Sequence, residues 1–197
     1  MGAVTKELML HPGSDEALFG QVADLIAAAV ARQEALGLAA PLTPADYRAH
    51  LDGLMKQAAN GDAGVGVVLD PDGGVLGTAQ WTRSSYRTRR VLAELDRVCV
   101  LPTARGLGVG RTLVGLLALD AEQHGIEVIG LEVRGNNHGA IALYERCGFS
   151  RTGLIPNAVA VDEERYDVVL MHRELIRPEG VRLIGSEPTG AGSSELR

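Results

Sequence analysis

The sequence predicts a mixed α/β (α+β) domain, on three observations. Two apolar runs, 65–69 and 75–81, flank Asp70-Pro71-Asp72-Gly73-Gly74, whose residues favour a tight reversal and hence an antiparallel hairpin. The run Val98-Cys99-Val100-Leu101-Pro102-Thr103-Ala104-Arg105-Gly106-Leu107-Gly108-Val109-Gly110-Arg111-Thr112 reads as a strand, a glycine-rich turn and a helix start. Stretches with helical spacing of apolar residues alternate with strand-like stretches in the order β-α-α-β-β-β-α-β-α-β.

The elements follow in order. Residues 4–10 alternate weakly, as an edge strand does. Leu18, Val22, Leu25, Ile26 and Ala29 lie at helical spacing within 15–36, and Gly37 is the expected end of that helix. Thr43-Pro44-Ala45-Asp46 combines an N-cap residue, proline at the first helical position and a carboxylate three residues after the cap. Tyr47, Leu51, Leu54, Met55 and Ala58 then mark the buried stripe of a second helix. After the hairpin comes a loop with four arginines, at 83, 87, 89 and 90, read as a solvated segment with a phosphate or substrate role as the rival reading. A third meander strand is expected over 91–100, and a helix over 111–124 with Leu113, Leu116, Leu117 and Ala121 on one face. A strand at 126–134, a helix at 137–147 capped by Gly148, and a last strand at 166–172 complete the pattern.

Composition bounds the function. The chain has 197 residues, 46% of them apolar, which suits one ordinary domain over 1–177. The stretch 178–197 is rich in Gly, Ser and Glu and is expected to be a flexible tail. A formal net charge of −6, with arginines scattered among carboxylates, argues against nucleic acid as a partner. No run of eighteen apolar residues and no leader pattern is present, so a cytoplasmic protein without membrane contact is expected. The two cysteines, Cys99 and Cys147, lack zinc spacing and read as free thiols, and the histidines show no metal pattern, so no metal is expected.

The glycine turn lacks the lysine of a Walker loop, and Gly106-x-Gly108-x-Gly110 departs from dinucleotide spacing. Arg105-Gly106-Leu107-Gly108-Val109-Gly110 instead resembles the acyl-coenzyme-A loop of the GCN5-related N-acetyltransferases (GNAT), Arg/Gln-x-x-Gly-x-Gly/Ala. About thirty residues on, Leu131-Glu132-Val133-Arg134 and the segment from Asn137 to Phe149, with Ala140, Leu143, Tyr144 and Gly148, resemble that family's second signature, N-x-x-A-x-x-L-Y-x-x-x-G-F. The resemblance covers about residues 91–150. It implies the GNAT fold: a mixed, mostly antiparallel sheet of about six to seven strands, flanked by about four helices, with strands 4 and 5 splayed to admit the cofactor. It further implies that main-chain groups of Val98, Cys99 and Val100 bind the pantetheine arm, helped by a β-bulge in that strand. Arg105, Gly106, Leu107, Gly108, Val109, Gly110, Arg111 and Thr112 would cradle the diphosphate, with Asn137 and Tyr144 completing the site. Acetyl-CoA is then the cosubstrate, and homodimers are frequent in the family.

The implied reaction is transfer of an acetyl group to a primary amine. An amine with a pKa near 10.4 is neutral in about one molecule in 2,500 at pH 7, a deficit of about 4–5 kcal/mol, so a base is useful. Glu94 and Asp96, two apart on the strand entering the cradle, are expected to share a face with Val98 and Val100. Glu132, on the adjoining strand with Arg134, matches a glutamate assigned as base in ribosomal-protein alanine acetyltransferases; a Glu–Arg pair across the sheet is the alternative. The Val100 amide could stabilise an oxyanion and Tyr144 could protonate the leaving sulfur, unless Tyr144 only fills space beneath the cofactor. A small-molecule amine is the leading acceptor. A protein amine and a turnover-silent coenzyme-A sensor remain as alternatives.

Overall fold

The computed structural model describes residues 5–38 and 41–176. The predicted tail at 178–197 lies outside the described residues. In chain order the elements are β1 (Lys6–Met9), α1 (Glu16–Ala31), α2 (Pro44–Ala58), β2 (Ala63–Leu69), β3 (Val75–Arg83), β4 (Leu92–Val100), α3 (Val109–Gln123), β5 (Val128–Arg134), α4 (His138–Arg146), β6 (Ser150–Val161) and β7 (Glu164–Glu174). The strands form one sheet in the order β1-β2-β3-β4-β5-β7-β6. Every neighbouring pair is antiparallel except β4 and β5.

Two apolar layers sandwich the sheet. On one face Val22 and Ile26 of α1 and Leu51 and Leu54 of α2 pack over Val65 and Val67 of β2 and Cys99 of β4. On the other, Leu113 and Leu117 of α3 and Ile141 of α4 pack over Trp81, Leu95, Ile129 and Met171. Each fully buried Leu or Ile in these layers contributes about 1.5–3 kcal/mol. The capping box before α2 forms as expected: the Asp46 amide donates to Thr43 Oγ1, and the Thr43 amide donates to Asp46 Oδ2.

The first helix is shorter than its apolar spacing suggests. It ends at Ala31, and Gln33 takes the left-handed conformation with φ 57°. The Gln33 and Glu34 amides donate back to Val30 O and Ala29 O, the Schellman pattern that glycine usually supplies. Helix α3 begins at Val109, two residues earlier than expected, so Gly110 lies inside its first turn. The additional strand β6 has no counterpart in the apolar pattern. It is an edge strand, exposed along most of its length, and carries Pro156, which only an edge tolerates.

Two irregularities create the functional geometry. The parallel pairing of β4 with β5 extends only from Leu92–Val128 to Glu94–Gly130, after which the strands part. In β4, Arg97 and Val98 together oppose Ala79 of β3, because Asp96 pairs with Gln80 and Cys99 with Thr78; Arg97 has φ 53°. This bulge inverts the alternation, so Glu94 and Asp96 do not share a face with Val98 and Val100. Asp96 and Cys99 face the α1–α2 layer, whereas Ala93, Leu95, Val98 and Val100 belong to the α3 side.

Because Gln33 sits where glycine is preferred, Gln33→Gly is expected to raise unfolding free energy by about 0.5–1 kcal/mol in urea titration. A decrease would mean that the left-handed position is not what strains the end of α1.

Candidate active site

A cleft of about 770 Å3 opens where β4 and β5 separate. One wall carries Val98, Val100 and the glycine turn; the opposite wall is α4, through Ala140, Leu143 and Tyr144. Gly106 and Gly108 have φ of 80° and 88°, which the turn requires. A Cβ at Gly110 would lie 3.0 Å from Leu143 Cδ2, so this glycine sets how closely α3 and α4 approach.

Three helices start with side-chain caps: Asp15 accepts from the Ala17 amide, Thr43 from Asp46 and Asn137 from Ala140. Helix α3 starts at Gly108 with none. Its first internal bond runs from the Thr112 amide to Gly108 O at 3.0 Å, leaving the Val109, Gly110 and Arg111 amides without intrahelical partners. All three residues line the cleft. Uncapped amides at the positive end of a helix dipole form an anion site, so the donor set fits a diphosphate.

The predicted cofactor residues divide accordingly. Gly106, Gly108, Val109, Gly110, Arg111, Asn137 and Tyr144 surround the cleft. Leu107 and Thr112 do not line it: Leu107 projects into solvent at 73% exposure, and both amides are used within the turn. The Leu101 amide donates to Leu76 O, and antiparallel ladders alternate bonded with non-bonded pairs. The Val100–Gly77 pair is therefore non-bonded, and the Val100 amide and carbonyl point away from β3 into the parting. Cys99 instead turns its main chain toward β3 and does not line the cleft. Its thiol is buried and pushed up to about 11 by that burial and by Glu34, so it is no nucleophile.

Arg105 lines the cleft too, and its side chain is half exposed while its Nε donates to Val100 O at 3.2 Å and its Nη2 to Glu34 Oε2 at 2.7 Å. Arg111 and Arg146 supply the other cations near the turn. Asn137 spends Oδ1 on the helix cap, leaving its amide nitrogen for the cleft.

The three carboxylates gather on the α1–α2 side of the sheet. Glu94 is exposed on that face, and partial desolvation by its surroundings first, then the Asp96 and Glu132 carboxylates, raise its proton affinity above the usual value. Asp96 is committed to Arg97, through an ion pair of 2.7 Å and an Oδ1 contact with the Arg97 amide. Arg134 bonds Asn136 Oδ1 and lies over the Tyr166 ring at 4.7 Å, rather than pairing with Glu132. Burial, then Asp96 and Cys147, push the Tyr144 hydroxyl well above its usual range, so it stays protonated. In the arginine loop, Arg83 and Arg90 both pair with Asp62, a structural use. Among the described residues no cluster of three or more His, Cys, Asp or Glu is placed to hold a metal, and no helix is long and apolar enough to cross a membrane.

Sequence reasoning missed Glu34, Ala35 and Leu36, which line the cleft from the end of α1. Nothing in their spacing ties them to a turn seventy residues away.

Comparison with known proteins follows the same lines. The chain is 35% identical over 79 residues to the [ribosomal protein bS18]-alanine N-acetyltransferase of Escherichia coli strain K12, a stretch covering 40% of this chain and 53% of that protein. It is 38% identical over 113 residues to the mycothiol acetyltransferase of Salinispora tropica, covering 55% of this chain and 34% of that one. The chain thus spans about half or less of the length of these relatives. A GNAT superfamily phosphinothricin acetyltransferase from Sinorhizobium meliloti, solved in complex with AcCoA, superposes with a TM-score of 0.78 at 20% identity, covering 96% of this chain and 97% of that one, and so shares the fold. The profile of the acetyltransferase (GNAT) family matches residues 32–149, and the chain belongs to that family.

Proposed function

We propose that the chain is an acetyl-CoA-dependent N-acetyltransferase that acts on a primary amine carried by a small molecule. The observation that carries this reading is the division of β4 by its bulge. Val98 and Val100 serve the cleft on one side, and Glu94 faces the opposite side with a raised proton affinity.

The Val109, Gly110 and Arg111 amides would hold the diphosphate, with the Val98 main chain and the Val100 amide completing the pantetheine contact in the manner of an added strand, while Val100 O is held by Arg105. Acetyl-CoA supplies an activated acetyl thioester there. The remaining chemistry belongs to the chain's own groups. Glu94 takes the ammonium proton, directly or through water, because its proton affinity is raised and its lone pairs are not committed to an arginine as those of Asp96 are. Glu132 adds negative charge that attracts a cationic acceptor. Tyr144 keeps a proton at Oη, available to a departing thiolate.

The direct test is release of free thiol from acetyl-CoA in the presence of a panel of small amines, with an N-terminal peptide as a parallel arm. Activity restricted to the peptide would replace the small-molecule acceptor with a protein one, and binding without thiol release would make the chain a sensor. Tyr144→Phe is expected to lower kcat about ten- to a hundredfold with acetyl-CoA affinity unchanged; an unchanged kcat removes Tyr144 from the chemistry.

Glu94 gives a pH signature as well. A carboxyl whose pKa is raised on folding binds its proton more tightly in the native state, so fold stability declines as pH rises through that native pKa. Glu94→Gln is therefore expected to leave the fold at least as stable at pH 7–8 while lowering kcat/KM by about a hundredfold or more. The acidic limb of the wild-type kcat/KM profile should lie above the ordinary carboxylate range and vanish in the variant. Persistence of that limb would assign it to another group.

A further inference from the structure

The connection leaving α1 is bolted to β4 at two points. Arg105 reaches from the glycine turn to Glu34, and its Nε simultaneously holds Val100 O. The other Glu34 oxygen takes Arg32 Nε at 2.9 Å. From the bulge, Arg97 Nη1 donates to Leu36 O at 3.2 Å while pairing with Asp96. Between these straps, Leu36 is only 9% exposed and packs in the layer that contains Cys99, on the face that bears Asp96. Glu34, Ala35 and Leu36 therefore stand where the cofactor cleft meets the carboxylate side of the sheet.

We infer that Glu34 and Arg105 form a positioning clip that fixes the 34–36 segment as the acceptor-side wall of the cleft, and that Arg105 serves acceptor placement rather than diphosphate binding. The inference rests on the acetyltransferase reading above. The α3 amides and Arg111 supply anion donors at that end of the cleft, and Arg105, which also lines it, has Nε and Nη2 turned to Val100 O and Glu34. Glu34 is well suited to the clip: burial works against its charge, yet the Arg105 and Arg32 guanidiniums hold its carboxyl below the ordinary range. The Arg105 side chain is 51% exposed and that of Glu34 22%, so the pair is of modest strength and its loss should change parameters several-fold, not a thousandfold.

Calorimetry with acetyl-CoA and steady-state kinetics with an accepted amine would be run on wild type, Arg105→Gln, Glu34→Gln and the double variant. In all four, acetyl-CoA Kd is expected to agree within about twofold. Each single variant should raise the acceptor KM about three- to tenfold with kcat within about twofold, and the double variant should be no worse than either single one, as for two halves of one interaction. A tenfold or greater weakening of acetyl-CoA binding in Arg105→Gln, with Glu34→Gln unaffected, would make Arg105 a phosphate ligand and overturn the clip. Additive effects on acceptor KM would also overturn it. Failure of wild type to bind acetyl-CoA would instead refute the acetyltransferase reading beneath the inference.

Discussion

The parting of β4 from β5 is the constraint on which the rest of the molecule depends. Main-chain amides and carbonyls that lose a strand partner must find another, and a gap one strand wide can accept only an extended chain of amides or water. Pairing stops after Glu94–Gly130, yet β4 runs on to Val100 under the support of β3 and β5 to Arg134 under that of β7. Each strand is thus held rigid by its outer neighbour while its inner edge is left without a strand partner. The cleft is a property of the sheet, not of a mobile loop.

The bulge at Arg97 then divides labour between the two faces. Without it Glu94, Asp96, Val98 and Val100 would point the same way, and candidate base and apolar wall would crowd one side. With one extra residue the apolar pair faces the α3 layer and the carboxylates face the side toward α1 and α2. The same bulge aims Arg97 at Leu36 O, so a single backbone irregularity both places Asp96 and ties down the connection leaving α1. The absence of a side-chain cap on α3 completes the arrangement, because a serine or aspartate at position 108 would spend the amides that line the cleft.

Much of this was legible in the sequence where local chemistry controls structure. The Thr43–Asp46 capping box, the Asn137 cap, the hairpin at Asp70–Gly74 and the glycine turn all form where their residue types place them. Errors arose where tertiary context outweighs local preference. Gln33 occupies a glycine-like conformation, so the end of α1 carried no punctuation. Strand β6 lacks alternation because as an exposed edge it has no buried face to encode. A bulge leaves no mark in residue types, and so the facing of Glu94 and Asp96 was inverted. The contact of Arg105 with Glu34 leaves no local signature, because the two stand seventy-one positions apart in the chain.

The central claim concerns where an acyl thiol carrier lies, and a crystal structure of the protein with acetyl-CoA tests it most directly. The account predicts diphosphate oxygens within hydrogen-bond distance of the Val109, Gly110 and Arg111 amides, with the pantetheine arm running along Val98 and Val100 between the separated strands. A diphosphate held elsewhere, or a pantetheine arm outside that gap, would contradict it.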